Sequence, residues 1–277
     1  MKSNNNYQNL SIEVNNSVLY YNDLGEGDVP IFFLHGFPFD KSMWNGQLDS
    51  LKSSRRVIAL DIRGFGQSKD ENTDLTIDLF AEDVIAVMDK LGIKKVIICG
   101  LSMGGFIALN TIKRFPERFE ALVVCDTNCI ADTADAKEKR YKTIEQIKRE
   151  GTDEFNEKFI KNVFHPDSLI NKKEVVNDLR STVFENSERI ITAGLLALAV
   201  RVETCSSLKA IKVPTLIICG REDAVTPLAQ SQFMHEHIDG SVLKIIENAG
   251  HVSNLEQPEA FNKHLLDFLN SLNTNKR

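Results

Sequence analysis

The sequence lacks the features that mark several classes of protein. It carries 33 Lys and Arg against 39 Asp and Glu, so its net charge of -6 gives no basic excess for binding nucleic acid. Its longest apolar run, near residues 195–200, is far too short to span a bilayer. The first six residues are polar and no apolar segment follows them, so we expect no signal peptide. These absences predict a protein without nucleic-acid or membrane partners.

Cysteine is scarce and its number is odd. No C-x-x-C pair occurs, which argues against a metal site built from thiolates. Three of the cysteines end apolar, strand-like runs. We therefore expect small buried thiols in a reducing cytoplasm, and hence a cytoplasmic location. The five residues are Cys99, Cys125, Cys129, Cys205 and Cys219.

What the sequence does contain is an alternation of short apolar strands with helical patterns. Strands that are apolar throughout, as at residues 31–34 and 96–99, indicate a mostly parallel sheet covered by helices on both faces. Residues 10–23 read as a hairpin. The alternation stops after Asp126 and resumes at Val213, with helical patterns between them. The prediction is an α/β core of residues 1–127 and 213–277 with a helical cap at 128–212.

A strand-to-helix break carries the first sign of chemistry. The pattern G-x-S-x-G is formed by Gly100, Ser102 and Gly104, directly after the apolar run from Val96. A tight turn there lifts the serine hydroxyl out of the sheet, and the following helix directs backbone N–H groups at the same point. The flanking glycines are needed because the two arms of the turn nearly touch. Ser102 is therefore predicted to be a nucleophile.

A serine hydroxyl needs a base to remove its proton, and His251 fits that role. It lies just past the apolar strand that ends at Ile246, after a glycine that lets the loop bend. The alternative interpretation is a surface histidine without a role. The other histidines are poorer candidates, because His35 adjoins a different required feature and the rest fall in the cap or on predicted helices. These are His165, His235, His237 and His264.

The base in turn needs a carboxylate that orients it, and the candidate is Asp223, again just past an apolar strand. Glu222 is its neighbour, and its side chain should point another way. Asp126 is the competing candidate because it also follows a strand on the expected edge of the sheet.

The tetrahedral intermediate of acyl transfer needs hydrogen-bond donors for its oxyanion. One is predicted to be the amide of Met103, the residue after the nucleophile. The other is predicted to be the amide of Phe37, presented by the turn that follows the strand at 31–34. Phe37 and Met103 are also the predicted substrate-binding residues. An ordinary turn at 35–38 is the alternative interpretation.

Four segments together resemble the α/β-hydrolase fold family. They are His-Gly-Phe-Pro at 35–38, Asp-Ile-Arg-Gly-Phe-Gly-Gln-Ser at 61–68, Gly-Leu-Ser-Met-Gly-Gly at 100–105, and Gly-x-x-Asp at 220–223 with Gly-His at 250–251. The resemblance is to the carboxylesterase, 3-oxoadipate enol-lactonase-like and cofactor-free haloperoxidase-like branch. It implies the serine–acid–histidine order of that fold.

The resemblance also carries narrower implications. Arg63 is implied to be an ion-paired anchor of its loop rather than a catalytic group. Haloalkane dehalogenases and epoxide hydrolases have a similar fold but carry aspartate where this chain has Ser102, so the resemblance excludes these two classes. The cap resembles that of enol-lactonases and related carboxylesterases, although its sequence departs too far for the lactone substrate to be carried over.

The function predicted from the sequence is a serine hydrolase that cleaves a small to medium, mainly apolar carboxylic ester. It needs no metal and no organic cofactor, and its partner is the small-molecule ester. One alternative is a lactonase or carbon–carbon bond hydrolase acting on one metabolite, where a buried cationic side chain such as Arg201 would favour an acidic substrate. Another is a slow-turnover sensor that keeps the triad for ligand binding. The sequence leaves the oligomeric state open.

Overall fold

A single twisted sheet organises the chain in the computed structural model, which describes residues 9–70 and 74–274. The described residues form an eight-stranded sheet with the order β1-β2-β4-β3-β5-β6-β7-β8. The strands are β1 (Leu10–Val14), β2 (Ser17–Leu24), β3 (Ile31–Leu34), β4 (Val57–Leu60), β5 (Val96–Leu101), β6 (Phe119–Cys125), β7 (Thr215–Gly220) and β8 (Val242–Ile246).

The predicted hairpin and the mostly parallel sheet are both confirmed. β1 and β2 pair antiparallel around Asn15 and Asn16, whose φ angles of 48° and 58° are the left-handed values that a two-residue hairpin turn requires. β2 is also antiparallel to β4, and the pairings from β4 through β3, β5, β6 and β7 to β8 are all parallel. The carboxyl ends of β3, β5, β6, β7 and β8 therefore share one edge of the sheet.

Helices cover both faces of this sheet because successive strand residues point to opposite sides. In β3, Phe32 and Leu34 join one apolar core, whereas Ile31 and Phe33 join the other. The helices are α1 (Asn45–Leu51), α2 (Ile77–Lys90), α3 (Met103–Arg114), α4 (Ala134–Glu150), α5 (Asp153–Val163), α6 (Pro166–Asn171), α7 (Lys173–Phe184), α8 (Glu188–Val200), α9 (Leu228–His237), α10 (Ser253–Glu256) and α11 (Pro258–Thr274).

Residues 128–212, hereafter the helical insertion, lie between β6 and β7 and contain no strand, and the structure describes all of them. The insertion holds α4 to α8 and a short 3-10 helix, Cys205–Ala210. Within it α4 packs against α8 and α5 against α7. Threonine and serine side chains begin two of these helices, because Thr133 caps α4 and Ser187 caps α8. Within the described ranges, no helix combines the length and apolar character needed to cross a membrane.

The prediction of five free thiols is wrong for two of the cysteines. Cys129 and Cys205 form a disulfide across 76 residues, joining the two ends of the helical insertion. Next to it the amide of Thr204 donates to the carbonyl of Cys129 at 2.8 Å. Spacing alone could not pair these positions, since they meet only once α4 to α8 have folded back on themselves. The remaining three, Cys99, Cys125 and Cys219, are buried free thiols as expected.

Removal of this disulfide should destabilise the protein. A Cys129→Ser/Cys205→Ser double variant is expected to lose about 2–4 kcal/mol of unfolding free energy in urea, because the unfolded chain regains the freedom of a long loop. The wild-type protein, denatured without reductant, should show three reactive thiols with a chromogenic thiol reagent and five after reduction. Five thiols before reduction would contradict the pairing, and reductant should leave the stability of the double variant unchanged.

Candidate active site

The turn between β5 and α3 holds Ser102 in a strained conformation at the carboxyl edge of the sheet. Its φ and ψ angles are 53° and -115°, a region that non-glycine residues rarely adopt outside functional turns. The flanking backbone is so close that a Cβ on Gly100 would lie 2.1 Å from the Gly104 carbonyl oxygen. The turn is fixed by the Ser102 amide, which donates to Cys125 at 3.0 Å. The side chain of Ser102 is only half-buried, whereas its neighbours are buried.

Three side chains from three strand ends form one hydrogen-bonded line. Ser102 Oγ lies 2.8 Å from His251 Nε2, and His251 Nδ1 lies 2.8 Å from Asp223 Oδ2. A carboxylate can only accept, so Nδ1 carries the ring proton and donates it to Asp223. Nε2 then bears the lone pair and can accept the proton of Ser102 Oγ. The geometry gives a hydroxyl, a base and an orienting acid in that order.

Asp223 is held as a carboxylate by a short turn in its own sequence. Its Oδ1 accepts the amides of Val225 and Thr226 at 2.8 and 2.9 Å, and its Oδ2 accepts the Thr226 hydroxyl at 2.7 Å. Burial acts to raise the pKa of Asp223, but the charge of His251 and these hydrogen bonds outweigh it and lower the pKa. The carboxyl group therefore stays ionised, which an orienting acid requires.

The environment of His251 favours its charged form. Burial acts to lower the pKa of the imidazole, but the charge of Asp223 and the hydrogen bond to it outweigh burial and raise the pKa. The ring is thus a stronger base than an exposed histidine. It can take up a proton from Ser102 at little cost because the resulting imidazolium faces Asp223.

Two backbone amides follow the carboxyl ends of neighbouring strands, that of Phe37 after β3 and that of Met103 after β5, at the first turn of α3. Within the described residues, the amides of Phe37 and Met103 have no hydrogen-bond acceptor. The loop that carries Phe37 is fixed by His35, whose Nδ1 donates to the Gly36 carbonyl at 2.8 Å and whose Nε2 accepts the Ile62 amide at 2.9 Å. Burial lowers the pKa of His35, which keeps the ring neutral for this pair of bonds.

The helical insertion packs directly on the Phe37 loop. The Phe37 ring meets the Phe65 and Phe159 rings edge to face, with centroids 5.8 and 6.2 Å away. A Cβ on Gly194 of α8 would lie 2.5 Å from the Phe37 ring, so the absence of a side chain there lets the ring fit. The side chain of Met103 is fully buried in the core.

Comparisons with known proteins agree with this architecture. The sequence profile described as the alpha/beta hydrolase fold matches residues 29–258. The chain belongs to the α/β hydrolase fold family.

Individual relatives support the same assignment. The chain is 33% identical to 3-oxoadipate enol-lactonase 2 of Acinetobacter baylyi over 88% of this chain and 90% of that protein. Its structure is similar to that of a thermophilic esterase from Thermogutta terrifontis, with a TM-score of 0.90 and 31% identity over 96% of this chain and 99% of the other. It is also similar to the enol-lactonase of Burkholderia xenovorans LB400, with a TM-score of 0.88 and 27% identity over 94% and 100% of the two chains. The resemblance inferred from the four sequence segments is thus confirmed, and the protein is an enzyme of the hydrolase type.

In this α/β hydrolase, Asp126 does not contact His251 as an orienting acid would. Its Oδ1 accepts the amide of Gly220 at 2.7 Å, and its Oδ2 lies 2.6 Å from Ser253 Oγ. Burial, with a contribution from the charge of Asp223, raises the pKa of Asp126 to about 8. Asp126 therefore joins the ends of β6, β7 and the His251 loop as a neutral group at neutral pH.

One residue that contacts Asp223 was not predicted from the sequence. Thr226 was missed, although a hydroxyl three residues after an aspartate is a recognisable turn pattern. Arg63 does form the loop anchor that the resemblance implied, with two hydrogen bonds of 2.7 Å to Asp83 and one of 2.8 Å to Asp70.

Asp126 should make the stability of the hydrolase fall as pH rises. Its pKa is about 8 in the folded state and its ordinary value is 3.8. Between those values the folded protein keeps a proton that the unfolded chain has lost, so raising the pH favours unfolding. Asp126→Asn replaces the titrating carboxyl group with an amide that does not titrate. The unfolding free energies of variant and wild type are measured in urea at pH 5 and pH 7.5. The value for the variant minus that for wild type should be larger at pH 7.5 than at pH 5.

Asp267 offers the matched control. It is exposed, and the ammonium of Lys263 lowers its pKa, so it is ionised throughout the interval. The unfolding free energy of Asp267→Asn should therefore differ from that of wild type by the same amount at pH 5 and at pH 7.5. A constant difference for Asp126→Asn as well would show that Asp126 is ionised in the folded protein.

Proposed function

We propose that this protein is a serine hydrolase that cleaves a carboxylic ester through Ser102, His251 and Asp223. The observation that carries the proposal is the unbroken series of hydrogen bonds from Ser102 Oγ through His251 to Asp223, in which both donor–acceptor distances are 2.8 Å. No metal or organic cofactor takes part in the proposed reaction, because every proton transfer it needs has a side chain in place. Ester hydrolysis is also the chemistry of the esterase and enol-lactonase relatives.

In the first half-reaction His251 Nε2 takes the proton of Ser102 as the hydroxyl oxygen attacks the ester carbonyl. The carbonyl oxygen becomes an oxyanion, which the amides of Phe37 and Met103 stabilise. The imidazolium that forms is steadied by Asp223 and then gives its proton to the leaving alcohol. The product is an acyl group on Ser102.

In the second half-reaction the same groups act on water. His251 removes a proton from a water molecule that attacks the acyl carbonyl, and the oxyanion forms again between the same two amides. Collapse of this intermediate returns the proton from His251 to Ser102 Oγ and releases the carboxylic acid.

We also propose that the helical insertion, residues 128–212, is a cap that forms the substrate pocket against the core of residues 1–127 and 213–277. The insertion faces the Phe37 loop with aromatic side chains, including Phe159. An apolar wall of this kind favours the proposed small to medium, mainly apolar acyl group.

A lactonase is the second candidate, because enol-lactonases are among the relatives. An acidic lactone would need a free cation in the pocket, and the buried arginine of the insertion is already engaged. Arg201 donates to Asp132 at 2.6 Å and to the Leu198 carbonyl at 2.7 Å. The other buried basic side chains in the described ranges, apart from histidines, are Lys41 and Arg63, and each is paired with aspartate.

The sensor interpretation predicts the same site with slow turnover. It differs in that hydrolysis stops after about one cycle.

The cytoplasmic location remains a prediction from the sequence, and the disulfide between Cys129 and Cys205 is a feature more typical of oxidising compartments.

Loss of the nucleophile should abolish hydrolysis. Ser102→Ala is expected to lower kcat for a short-chain p-nitrophenyl ester by about 10⁴-fold or more, because no other group can form the acyl intermediate. Release of p-nitrophenol under steady-state conditions measures the loss and separates repeated turnover from a single cycle. Ser206→Ala, at an exposed serine in the 3-10 helix Cys205–Ala210, is the control and should keep full activity. Equal rates for Ser102→Ala and wild type would exclude the proposed mechanism.

The site should prefer a neutral acyl chain to an acidic one of the same length. We expect kcat/KM for p-nitrophenyl butyrate to exceed that for mono-p-nitrophenyl succinate by about tenfold or more, after subtraction of the enzyme-free rate of each ester in the same buffer, which for the succinate ester includes attack by its own carboxylate. The reason is that burying a carboxylate without a free cation is costly. Equal or higher values for the succinate ester would favour the acidic-substrate alternative.

A further inference from the structure

A third buried carboxyl group, besides those of Asp223 and Asp126, lies close to His251 and has no part in the proposed reaction. Glu256, at the end of α10, is fully buried although its chain neighbours reach the surface. We propose that Glu256 is a positioning residue that joins the loop of His251 to the helical insertion, so that the insertion helps to place the base. The proposal rests on the function proposed above.

The two oxygens of Glu256 accept from two different parts of the chain. Oε1 accepts the amide of Gly250, the residue before His251, at 2.7 Å. Oε2 accepts the amide of His165, in the insertion between α5 and α6, at 2.8 Å. One side chain thus bridges the loop that carries the base and the segment that covers the site.

The backbones on either side of this bridge are also in direct contact. The amide of His251 itself donates to the carbonyl of Val163, the last residue of α5, at 2.8 Å. A Cβ on Gly250 would lie 2.9 Å from both the Val163 oxygen and the His165 nitrogen, so only glycine allows this approach. The ammonium of Lys172 donates to the carbonyl of Glu256. The junction between α5 and α6 therefore holds the His251 loop from outside the sheet.

This contact matters for chemistry because the ring of His251 must meet two partners at once. Its Nε2 has to lie within hydrogen-bond reach of Ser102 while Nδ1 stays on Asp223. A displacement of about 1 Å at such a group can cost about 100-fold in rate. Glutamine at position 256 offers one oxygen and one NH₂ group, so it can accept from only one of the two amides and presents a donor to the other.

Two variants separate the charge of Glu256 from the link that it forms. Glu256→Gln removes the charge and half of the acceptor capacity. His165→Pro removes the amide on the insertion side, together with the imidazole that accepts the Asp167 amide at 3.1 Å, and leaves the charge of Glu256. The φ angle of -59° at His165 suits proline. Glu247→Gln is the control, since Glu247 is an exposed carboxylate nearby that pairs with Arg221.

Each protein is first titrated with a fluorophosphonate, which reacts with an activated serine, so that kcat is expressed per reactive site. We expect kcat per site to fall about 10–100-fold in Glu256→Gln and His165→Pro, with KM within about twofold of wild type. Glu247→Gln should match wild type.

The pH dependence of kcat/KM gives a readout that partial unfolding does not change. The carboxylates of Asp223 and Glu256 raise the pKa of His251, and Asp126 adds to this only at a pH where it is ionised. His165 and Lys172 lie on the other side of Glu256. Loss of the Glu256 charge should therefore move the acid limb of the profile to lower pH in Glu256→Gln. His165→Pro should leave the limb in place.

The outcomes are distinct. If the variants have fewer reactive sites but wild-type kcat per site and an unchanged acid limb, Glu256 serves stability alone and the proposal is overturned. If Glu256→Gln does not fold, a wild-type kcat per site in His165→Pro has the same consequence. If wild type does not react with the fluorophosphonate, or Ser102→Ala reacts equally, the proposed function fails rather than the role of Glu256.

Discussion

The close approach of two backbone segments at the turn between β5 and α3 is the constraint on which the site depends. The turn brings Gly100 against Gly104, and a Cβ on Gly104 would itself lie 2.2 Å from the Leu34 carbonyl oxygen of β3. Strand, helix and neighbouring strand thus meet without side chains between them. This contact raises Ser102 above the edge of the sheet, and it brings the amide of Met103 to the edge where β3 ends. The ends of β7 and β8, farther along the same edge, then supply Asp223 and His251 around a serine whose place is already fixed.

The sequence was informative wherever a contact is local or lies at a strand end. The turn at Ser102, the hairpin at Asn15 and the loops of Asp223 and His251 all follow from apolar runs that stop at glycine or polar residues. It was uninformative wherever partners are distant in the chain. Asp223 was the predicted acid, but Asp126 stayed a competing candidate, because both follow strands and only the folded distances distinguish them.

The same limit explains the other omissions. The bridge from Glu256 to His165 joins residues that are 91 positions apart, and the disulfide joins residues 76 apart. Neither produces a periodic pattern, a motif or a shift in composition. Such contacts depend on how the helical insertion folds back onto the core, which propensity and spacing do not determine.

The disulfide of Cys129 and Cys205 brings the two ends of the helical insertion to Cα atoms only 4.8 Å apart. Because the insertion leaves and rejoins the core at nearly one point, it does not have to span a fixed distance across the core. Its length is therefore little restricted. Helices within it can be lengthened, shortened or exchanged while β6 and β7 stay paired as neighbours. The fold therefore separates two kinds of change: the sheet edge keeps the arrangement of Ser102, Asp223 and His251, and the insertion can vary in length wherever it does not contact the His251 loop.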